Sequence, residues 1–442
     1  MTTLTVGSIW LLTIGATANI DRGENRLEHA ALCSLVALTD GSLEAPVIPP
    51  IDKGTYQLIQ NLNFSTSPKA WQDSFYQGGN TEKVHTDAQA YHKAYKGYED
   101  YWNDWQDAAT AVGAKTKEAK LKESGALELD GRAKQYAHTK IRSIALRARK
   151  IWRASTSSTS EAAEFNAATE LKKLKKAIYG TETSSRNDAT TDGVFNGDPG
   201  NSRNTACDAA VGTGKATTVA AQLACVCLKN TASNAVGVCT DKADGPTGWA
   251  AGATKFQDGD VQAVLKTCPS GKGAAITATK IRAAAEAVRS LLSSVSGNAY
   301  LGKFKNTNCD GTSGNGICVA ITGYDADPTA GFNKLGWPQT LHAIAKALED
   351  REAAAVLAAQ TNKLLEEEAG KAMDVVKEAR EATTTAESGQ TRQQPEPRKE
   401  EKDRCSKHNS NGTCTPDNNC KWEEKDGKGE YCKPKDGEGQ KT

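Results

Sequence analysis

The cysteines are the residues of this chain with the clearest chemistry, and they fall into a set of eight and a later set of four. They are Cys33, Cys207, Cys225, Cys227, Cys239, Cys268, Cys309 and Cys318, and then Cys405, Cys414, Cys420 and Cys432. Cysteine thiols either bind metal ions or pair as disulfides. Both sets are even, as closed sets of disulfides in separate modules require, but spacing alone leaves the pairing open.

The last four cysteines lie in a segment that has little else to hold it folded. The only large apolar or aromatic side chains between them are Trp422 and Tyr431, which bury too little area to offset the chain entropy. Zinc sites usually pair cysteines roughly two to four residues apart or add paired histidines. Here the gaps are eight, five and eleven residues, with His408 the only nearby histidine. We therefore predict disulfides rather than zinc, and so an oxidising compartment.

No other group of reactive residues predicts an enzyme. The stretch 212–215, Gly-Thr-Gly-Lys, lacks two residues of a phosphate-binding loop, because Ala209 and Ala216 stand in their places. Cys225 and Cys227 could form a redox pair or half of a metal site, although structural disulfides to different partners are favoured. No nucleophile is spaced with a base, so we predict no catalytic residue, no metal site and no cofactor. The 55 basic and 54 acidic residues nearly balance, which argues against a nucleic-acid partner.

Two Asn-x-Ser/Thr sequons are candidate N-glycosylation sites. Asn411 lies in the polar cysteine-rich segment, whereas Asn63 has apolar neighbours. Because a glycan needs an exposed acceptor, we favour Asn411 over Asn63.

The first 18 residues have the pattern of a secretory signal peptide. A short apolar stretch, 6–14, precedes Ala16-Thr17-Ala18, which fits a small-x-small cleavage site. A buried N-terminal strand or helix is the alternative, since no Lys or Arg precedes the apolar stretch. No apolar run reaches the roughly 18 residues of a membrane-spanning helix.

Apolar periodicity predicts several helices in the first part of the chain. The first covers 24–39, with Leu27, Ala31, Leu35 and Leu38 near one face. A heptad seam follows at Ala88, Tyr91, Tyr95, Tyr98, Trp102, Trp105, Ala109 and Val112. Such an aromatic stripe could stack on sugars or bases, but packing against a partner helix is favoured.

A further helix is predicted to carry one apolar and one basic face. The apolar face has Ile141, Ile144, Ala148 and Ile151, and the basic strip has Arg142, Arg147, Arg149 and Lys150. A strip of this kind could contact phosphates, but it is more often a solvated face.

The longest seam follows Trp337 and Pro338. Its positions are Leu341, Ile344, Leu348, Arg351, Ala355, Ala358, Asn362, Leu365, Ala369, Ala372, Val376 and Ala379. Arg351 and Asn362 are the polar exceptions, and polar seam positions often fix the register of a coiled coil. A shorter helix is predicted before this seam, over 274–296.

Residues 181–273 lose the helical periodicity and hold five cysteines, so we predict a disulfide-braced lobe of loops and short strands. The predicted fold class is mainly α. Segments near 81–154 and 274–385 would form an elongated antiparallel coiled-coil hairpin that carries this lobe at its outer end. The predicted domains are a signal peptide over 1–18, an N-terminal coiled-coil domain over 19–385, a flexible linker over 386–404 and a small disulfide-stapled C-terminal domain over 405–442.

These features together resemble a trypanosome variant surface glycoprotein with a type B-like N-terminal domain and a four-cysteine C-terminal domain. The residues that carry the resemblance are Cys420-Lys421-Trp422 after a charged linker, Glu24-Asn25 leading to Leu32-Cys33-Ser34-Leu35, Ala224-Cys225-Val226-Cys227-Leu228, and Trp337-Pro338 before the final helix. The resemblance implies a coat protein on the outer face of the plasma membrane, which shields the cell and evades immunity by antigenic variation.

The same resemblance implies partners and a modification. The partners would be further copies in a homodimer or homotrimer, neighbouring coat molecules, host antibodies, and the membrane through a glycosylphosphatidylinositol (GPI) anchor. Some type B relatives carry an O-linked sugar on an apical loop, which makes Thr312 or Ser313, between Cys309 and Cys318, a candidate site. The alternative function is a receptor for a host protein or nutrient on the same scaffold. The aromatic residues fall mostly on the predicted seam rather than in loops, which favours the coat.

Overall fold

A computed structural model describes residues 19–86, 99–159, 165–210, 212–250, 255–388, 407–408, 410–414, 420–424 and 430–434. It is 56% helical with few strands, which confirms the predicted mainly α class. The helices are α1 (Arg26–Leu38), α2 (Lys53–Thr66), α3 (Lys69–Asp73), α4 (Trp102–Gly113), α5 (Ala119–Ser124), α6 (Gly131–Thr159), α7 (Ala167–Tyr179), α8 (Thr191–Val194), α9 (Arg203–Ala206), α10 (Val219–Cys227), α11 (Asp258–Lys266), α12 (Ala278–Arg289), α13 (Pro328–Asn333), α14 (Trp337–Ser388) and α15 (Asn411–Cys414). The strands are β1 (Ser293–Val295), β2 (Asn298–Phe304), β3 (Gly316–Ile321), β4 (Cys420–Glu424) and β5 (Glu430–Pro434).

The chain divides into two compact units, and the first, 1–51 with 152–363, is built around α10. All nine residues of α10 are buried. Thr218 caps the N-terminus of α10: its side chain accepts a hydrogen bond from the backbone N–H of Ala221, which satisfies one donor of the first turn. Helices α1 and α11 and strand β3 all pack on α10. The core of this unit therefore surrounds one short apolar helix.

A three-stranded antiparallel sheet in the order β1-β2-β3 completes the first unit. Tyr300 of β2 pairs with Ser293 of β1 on one side and Ala320 of β3 on the other. Cys309 lies in the loop between β2 and β3, whereas Cys318 lies in β3 itself. Both strands place most of their residues in the core.

The second unit, 52–151 with 364–442, has an aromatic core. Phe64 of α2 packs edge-on against Phe75 at 5.3 Å between ring centroids, and Phe75 stacks on Trp102 of α4 at 5.5 Å. Trp102 and Ala109 of the predicted seam are buried, with Trp105 and Val112 packed against them. The seam residues 88, 91, 95 and 98 lie outside the described residues.

The basic strip of α6 is partly a packing face. Arg149 is buried and donates from Nε to Asp104 Oδ2 at 2.8 Å. Arg147 pairs with the buried Glu368 at 2.9 Å, while Arg142 and Lys150 are exposed. Two arginines of the strip therefore form ion pairs within the unit, and its other two residues face solvent.

Helix α14 follows the predicted seam. Nine of its twelve seam residues are buried, and the others, Arg351, Ala355 and Asn362, are half-buried. Arg351 Nε donates to the carbonyl of Pro46 at 2.8 Å, and Asn362 Nδ2 donates to the carbonyl of Pro50 at 2.9 Å. Both polar positions thus bind an extended proline-containing segment, whose backbone carbonyls need donors.

The structure differs from three details of the predicted secondary structure. The helix predicted over 274–296 ends at Arg289, and the chain enters strand β1 at Ser293. The short strands predicted for 181–273 lie instead over 293–321, while the lobe holds the helices α8 to α11. Segment 81–154 is interrupted at Gly125, which ends α5 at φ +74°, a left-handed conformation that glycine adopts without strain. Leu27 is also 59% exposed rather than in the core.

Candidate functional site: the disulfide-braced face of the first unit

Four disulfides brace the first unit. They are Cys33–Cys268, Cys207–Cys225, Cys227–Cys239 and Cys309–Cys318. Cys225 and Cys227 therefore bond to different partners, and both lie on the buried helix α10. Three of the four bonds close short loops, whereas Cys33–Cys268 joins residues 235 apart in sequence.

A further disulfide, Cys414–Cys432, ties α15 to β5 in the C-terminal part of the chain. Cys420 is also disulfide-bonded, and Cys405 lies outside the described residues. Strands β4 and β5 pair antiparallel, with Trp422 opposite Cys432. Trp422 packs against the three described cysteines, so that a very small core surrounds the sulfur atoms.

Asn25 is a buried polar residue that joins three elements of the first unit by hydrogen bonds. Its side chain is fully buried, and its Nδ2 donates to the carbonyls of Val226 in α10 and Ile317 in β3, both at 2.8 Å. Its Oδ1 accepts from the backbone N–H of Lys303 in β2 at 2.9 Å. One amide therefore satisfies backbone groups of a helix and of two strands, which buried backbone groups require.

Arg203 is a second buried polar centre, at 1% exposed. Its guanidinium donates to the carbonyls of Cys225 at 2.8 Å and Leu228 at 3.0 Å, at the C-terminal end of α10, and to the carbonyl of Trp249 at 3.1 Å. A cation at this end of a helix interacts favourably with the helix dipole and with the unpaired carbonyls. Burial lowers the pKa of Arg203 to about 10, while the nearby charge of Asp310 opposes that change.

The hairpin loop between Cys309 and Cys318 is ordered by its own side chains. Asp310 accepts from the backbone N–H of Thr312 at 2.9 Å, and its other oxygen accepts from Asn315 Nδ2 at 2.6 Å. Ser313 is 7% exposed, and its hydroxyl donates to the carbonyl of Ser233 at 2.9 Å. Thr312 is half-buried and its hydroxyl donates to Asp310 Oδ1 at 2.7 Å, so it is the more exposed of the two proposed O-glycosylation sites.

The two sequons lie in different settings. Asn63 is inside α2 and 9% exposed. Asn411 begins the four-residue helix α15, and the residues after it, Gly412 and Thr413, are exposed. A folded chain could not carry a glycan on Asn63 without opening α2, so the geometry speaks against Asn63.

Among the described residues, His29, Cys33 and Cys268 bring metal-ligating atoms together. The two sulfur atoms are bonded to each other, so they offer no thiolate to a metal ion. His29 Nε2 lies 2.7 Å from Thr267 Oγ1, and burial lowers the pKa of this imidazole. The cluster is thus a packed disulfide with a neutral histidine beside it.

Sequence reasoning missed the roles of Arg203 and Gln222. Gln222 Nε2 donates to the carbonyls of Ala216 and Leu335, and its Oε1 accepts from Trp337 Nε1 at 2.8 Å. Side chains that bond distant backbone groups leave no spacing pattern, so no local signal could have found them. Trp337 was named only as the residue before the longest seam and in the family resemblance, and Asn25 only in the resemblance.

This architecture defines a class: a mainly helical protein braced by buried disulfides. No described helix is long and apolar enough to cross a membrane. Residues 8–367 match a family described as "Trypanosomal VSG domain", and the chain belongs to this family of variant surface glycoproteins. It is also similar to variant surface glycoprotein ILTAT 1.23 of Trypanosoma brucei brucei, with 26% identity over 94% of this chain and 79% of that protein.

Proposed function

We propose that the chain is a surface coat glycoprotein that shields the parasite plasma membrane and serves immune evasion by antigenic variation. The observation that carries this proposal is the family match over residues 8–367. The chain would sit on the outer face of the plasma membrane through a GPI anchor. It would work as a homodimer or homotrimer among other coat molecules, and host antibodies would be its external partners.

The internal bracing of the first unit supports this role. Its disulfides, Asn25 and Arg203 are all buried, so the fold depends on residues that antibodies do not reach. Exposed residues away from such features usually change stability by less than about 0.5 kcal/mol when replaced. Surface loops could therefore diverge between variants while the fold persists.

The domain organisation and modifications extend the same proposal. A signal peptide over 1–18 would direct secretion, the domain over 19–385 would be displayed, and the linker over 386–404 would join it to the disulfide-stapled domain over 405–442. Asn411 would carry an N-linked glycan, and Thr312 is the better O-linked candidate. The role needs no catalytic residue, metal or cofactor.

The test is abundance and mode of attachment on living cells. Antibodies raised against the folded chain should label the whole surface of the cells that express it, and quantitative surface biotinylation should find it as the dominant protein. Phosphatidylinositol-specific phospholipase C should release it. A scarce protein, or one that recovers a single serum protein in stoichiometric amount, would favour the alternative function as a receptor.

A further inference from the structure

The second unit contains a cavity that the coat role does not use. Its volume is about 440 Å³, within the size range of small-molecule sites. Its lining combines three aromatic side chains, Trp71, Tyr101 and Trp105, with five residues of α6, which are His138, Arg142, Ala145, Leu146 and Arg149. Apolar rings beside a few polar groups are typical of a ligand pocket.

The aromatic side of the cavity is held in place by its own contacts. Tyr101 stacks on Trp105 with centroids 5.6 Å apart and rings inclined by 21°, and Trp71 meets Trp105 edge-on at 5.4 Å. The guanidinium of Arg149 lies 3.8 Å from the centroid of the Tyr101 ring, and Asp104 fixes it from its other side. Preformed aromatic surfaces of this kind favour a flat apolar ligand.

The charge at the cavity is positive. Among the described residues no Asp or Glu lines it, and Arg142 has no acidic partner within ion-pair distance. The charge of Arg149 is balanced by Asp104, which leaves Arg142 as the unbalanced cation. Burial, and then the charges of Arg142 and Lys134, lower the pKa of His138, against a hydrogen bond to the Asn63 backbone.

The cavity wall also holds an unsatisfied polar atom. Asn63 lines the cavity, and its buried Oδ1 accepts no hydrogen bond from any described residue. What the cavity offers to a ligand is therefore aromatic faces and one uncompensated cation, since this oxygen is buried behind its lining.

We propose that this cavity binds a small planar aromatic anion, an aryl sulfonate or carboxylate, with its rings against Trp71 and Trp105 and its charge at Arg142. The anion would gain a charge-assisted contact that a neutral analogue of the same shape lacks. This proposal does not depend on the coat role, since it concerns a separate site.

The test uses the full oxidised chain and two fluorescent probes of nearly the same shape. The anionic probe is 8-anilinonaphthalene-1-sulfonate, and the neutral control is N-phenyl-1-naphthylamine. Arg142→Gln should weaken binding of the anionic probe about tenfold, the effect of losing one charge-assisted contact. It should leave binding of the neutral probe unchanged. Arg132→Gln, which removes an exposed arginine of the same helix outside the cavity, should change neither affinity.

A second variant places a negative charge in the cavity lining. Leu146 is 47% exposed, so Leu146→Glu should fold normally, which circular dichroism would check. Leu146→Glu should weaken binding of the anionic probe more than binding of the neutral probe. The proposal is overturned if the native chain does not bind the anionic probe, if Arg142→Gln leaves its affinity unchanged, or if the two probes lose affinity equally. Should Leu146→Glu fail to fold, the Arg142→Gln comparison decides alone.

Discussion

The side-chain amide of Asn25 donates to the carbonyl oxygen of Val226 at 2.8 Å, across 201 residues of sequence. The donor precedes helix α1, and the acceptor lies within the buried helix α10. The same amide bonds both strands of the β2–β3 pair, at Lys303 and Ile317. A single buried side chain therefore links the start of the first unit to its central helix and to its sheet.

Replacing Asn25 should destabilise the first unit strongly. Asn25→Leu leaves three buried backbone groups without partners, and each such group costs about 1–3 kcal/mol, partly recovered by relaxation. We expect the free energy of unfolding to fall by about 3 kcal/mol, measured by urea unfolding of the oxidised chain. Arg26→Gln, at the exposed neighbouring position, should change it by less than about 0.5 kcal/mol. Equal effects of the two substitutions would contradict the assigned role of the amide.

The sequence predicted those helices in which buried apolar residues recur every three or four positions. Ile141, Ile144 and Ala148 lie on one buried face because a helix that packs on one side must place apolar residues every three or four positions. Helix α10 was not predicted. A helix that is buried on all sides has no polar face, so its sequence shows no helical repeat of apolar and polar residues. The sequence therefore predicted the amphipathic helices better than the centre of the first unit.

The polar centres and the disulfide pairing required the fold itself. Arg203 and Gln222 bond backbone carbonyls of segments that are distant in sequence, and their own neighbours give no sign of it. The same holds for Cys33 and Cys268, whose partnership depends on how the whole first unit closes. Parity of the cysteines indicated that disulfides exist, but only the topology decides which thiols meet.

Glu368 should make the second unit sensitive to acid. Burial opposes ionisation of this carboxyl, but hydrogen bonds from Lys371 at 2.7 Å and Arg147 outweigh it and hold the pKa of Glu368 below its usual value of 4.5. A group with a lowered folded pKa stabilises the fold above its unfolded pKa, and this stability is lost as pH falls through the folded pKa.

The experiment compares Glu368→Gln with Glu366→Gln, which alters an exposed carboxyl two positions away. At pH 7 Glu368→Gln should lower the free energy of unfolding by about 1–3 kcal/mol, because two cations lose a buried partner. The difference from the native chain should shrink as the pH falls below 4.5. A difference that stays constant between pH 7 and pH 3 would show that packing, not charge, is responsible.

The disulfide Cys33–Cys268 should contribute more stability than the local one at Cys309–Cys318. The two bonds join residues 235 and 9 apart, and chain entropy predicts about 5.5 and about 2.6 kcal/mol for loops of these lengths. Each pair is replaced by alanines, so that the lost sulfur contacts are matched. We expect a lower urea midpoint for the first variant. Equal midpoints would mean that the unfolded chain stays compact without the long-range bond.

The two sequons should differ in glycosylation: we expect an N-linked glycan on Asn411 and none on Asn63. Asn411→Gln should remove one N-linked glycan from the secreted chain, seen as a mass decrease that matches treatment with peptide N-glycosidase. Thr413→Ala should have the same effect, because it destroys the sequon while it keeps Asn411. Asn63→Gln should leave the mass of the attached sugar unchanged, since that side chain is 9% exposed inside α2. A glycan on Asn63 would contradict this assignment, because that side chain is buried in the folded second unit.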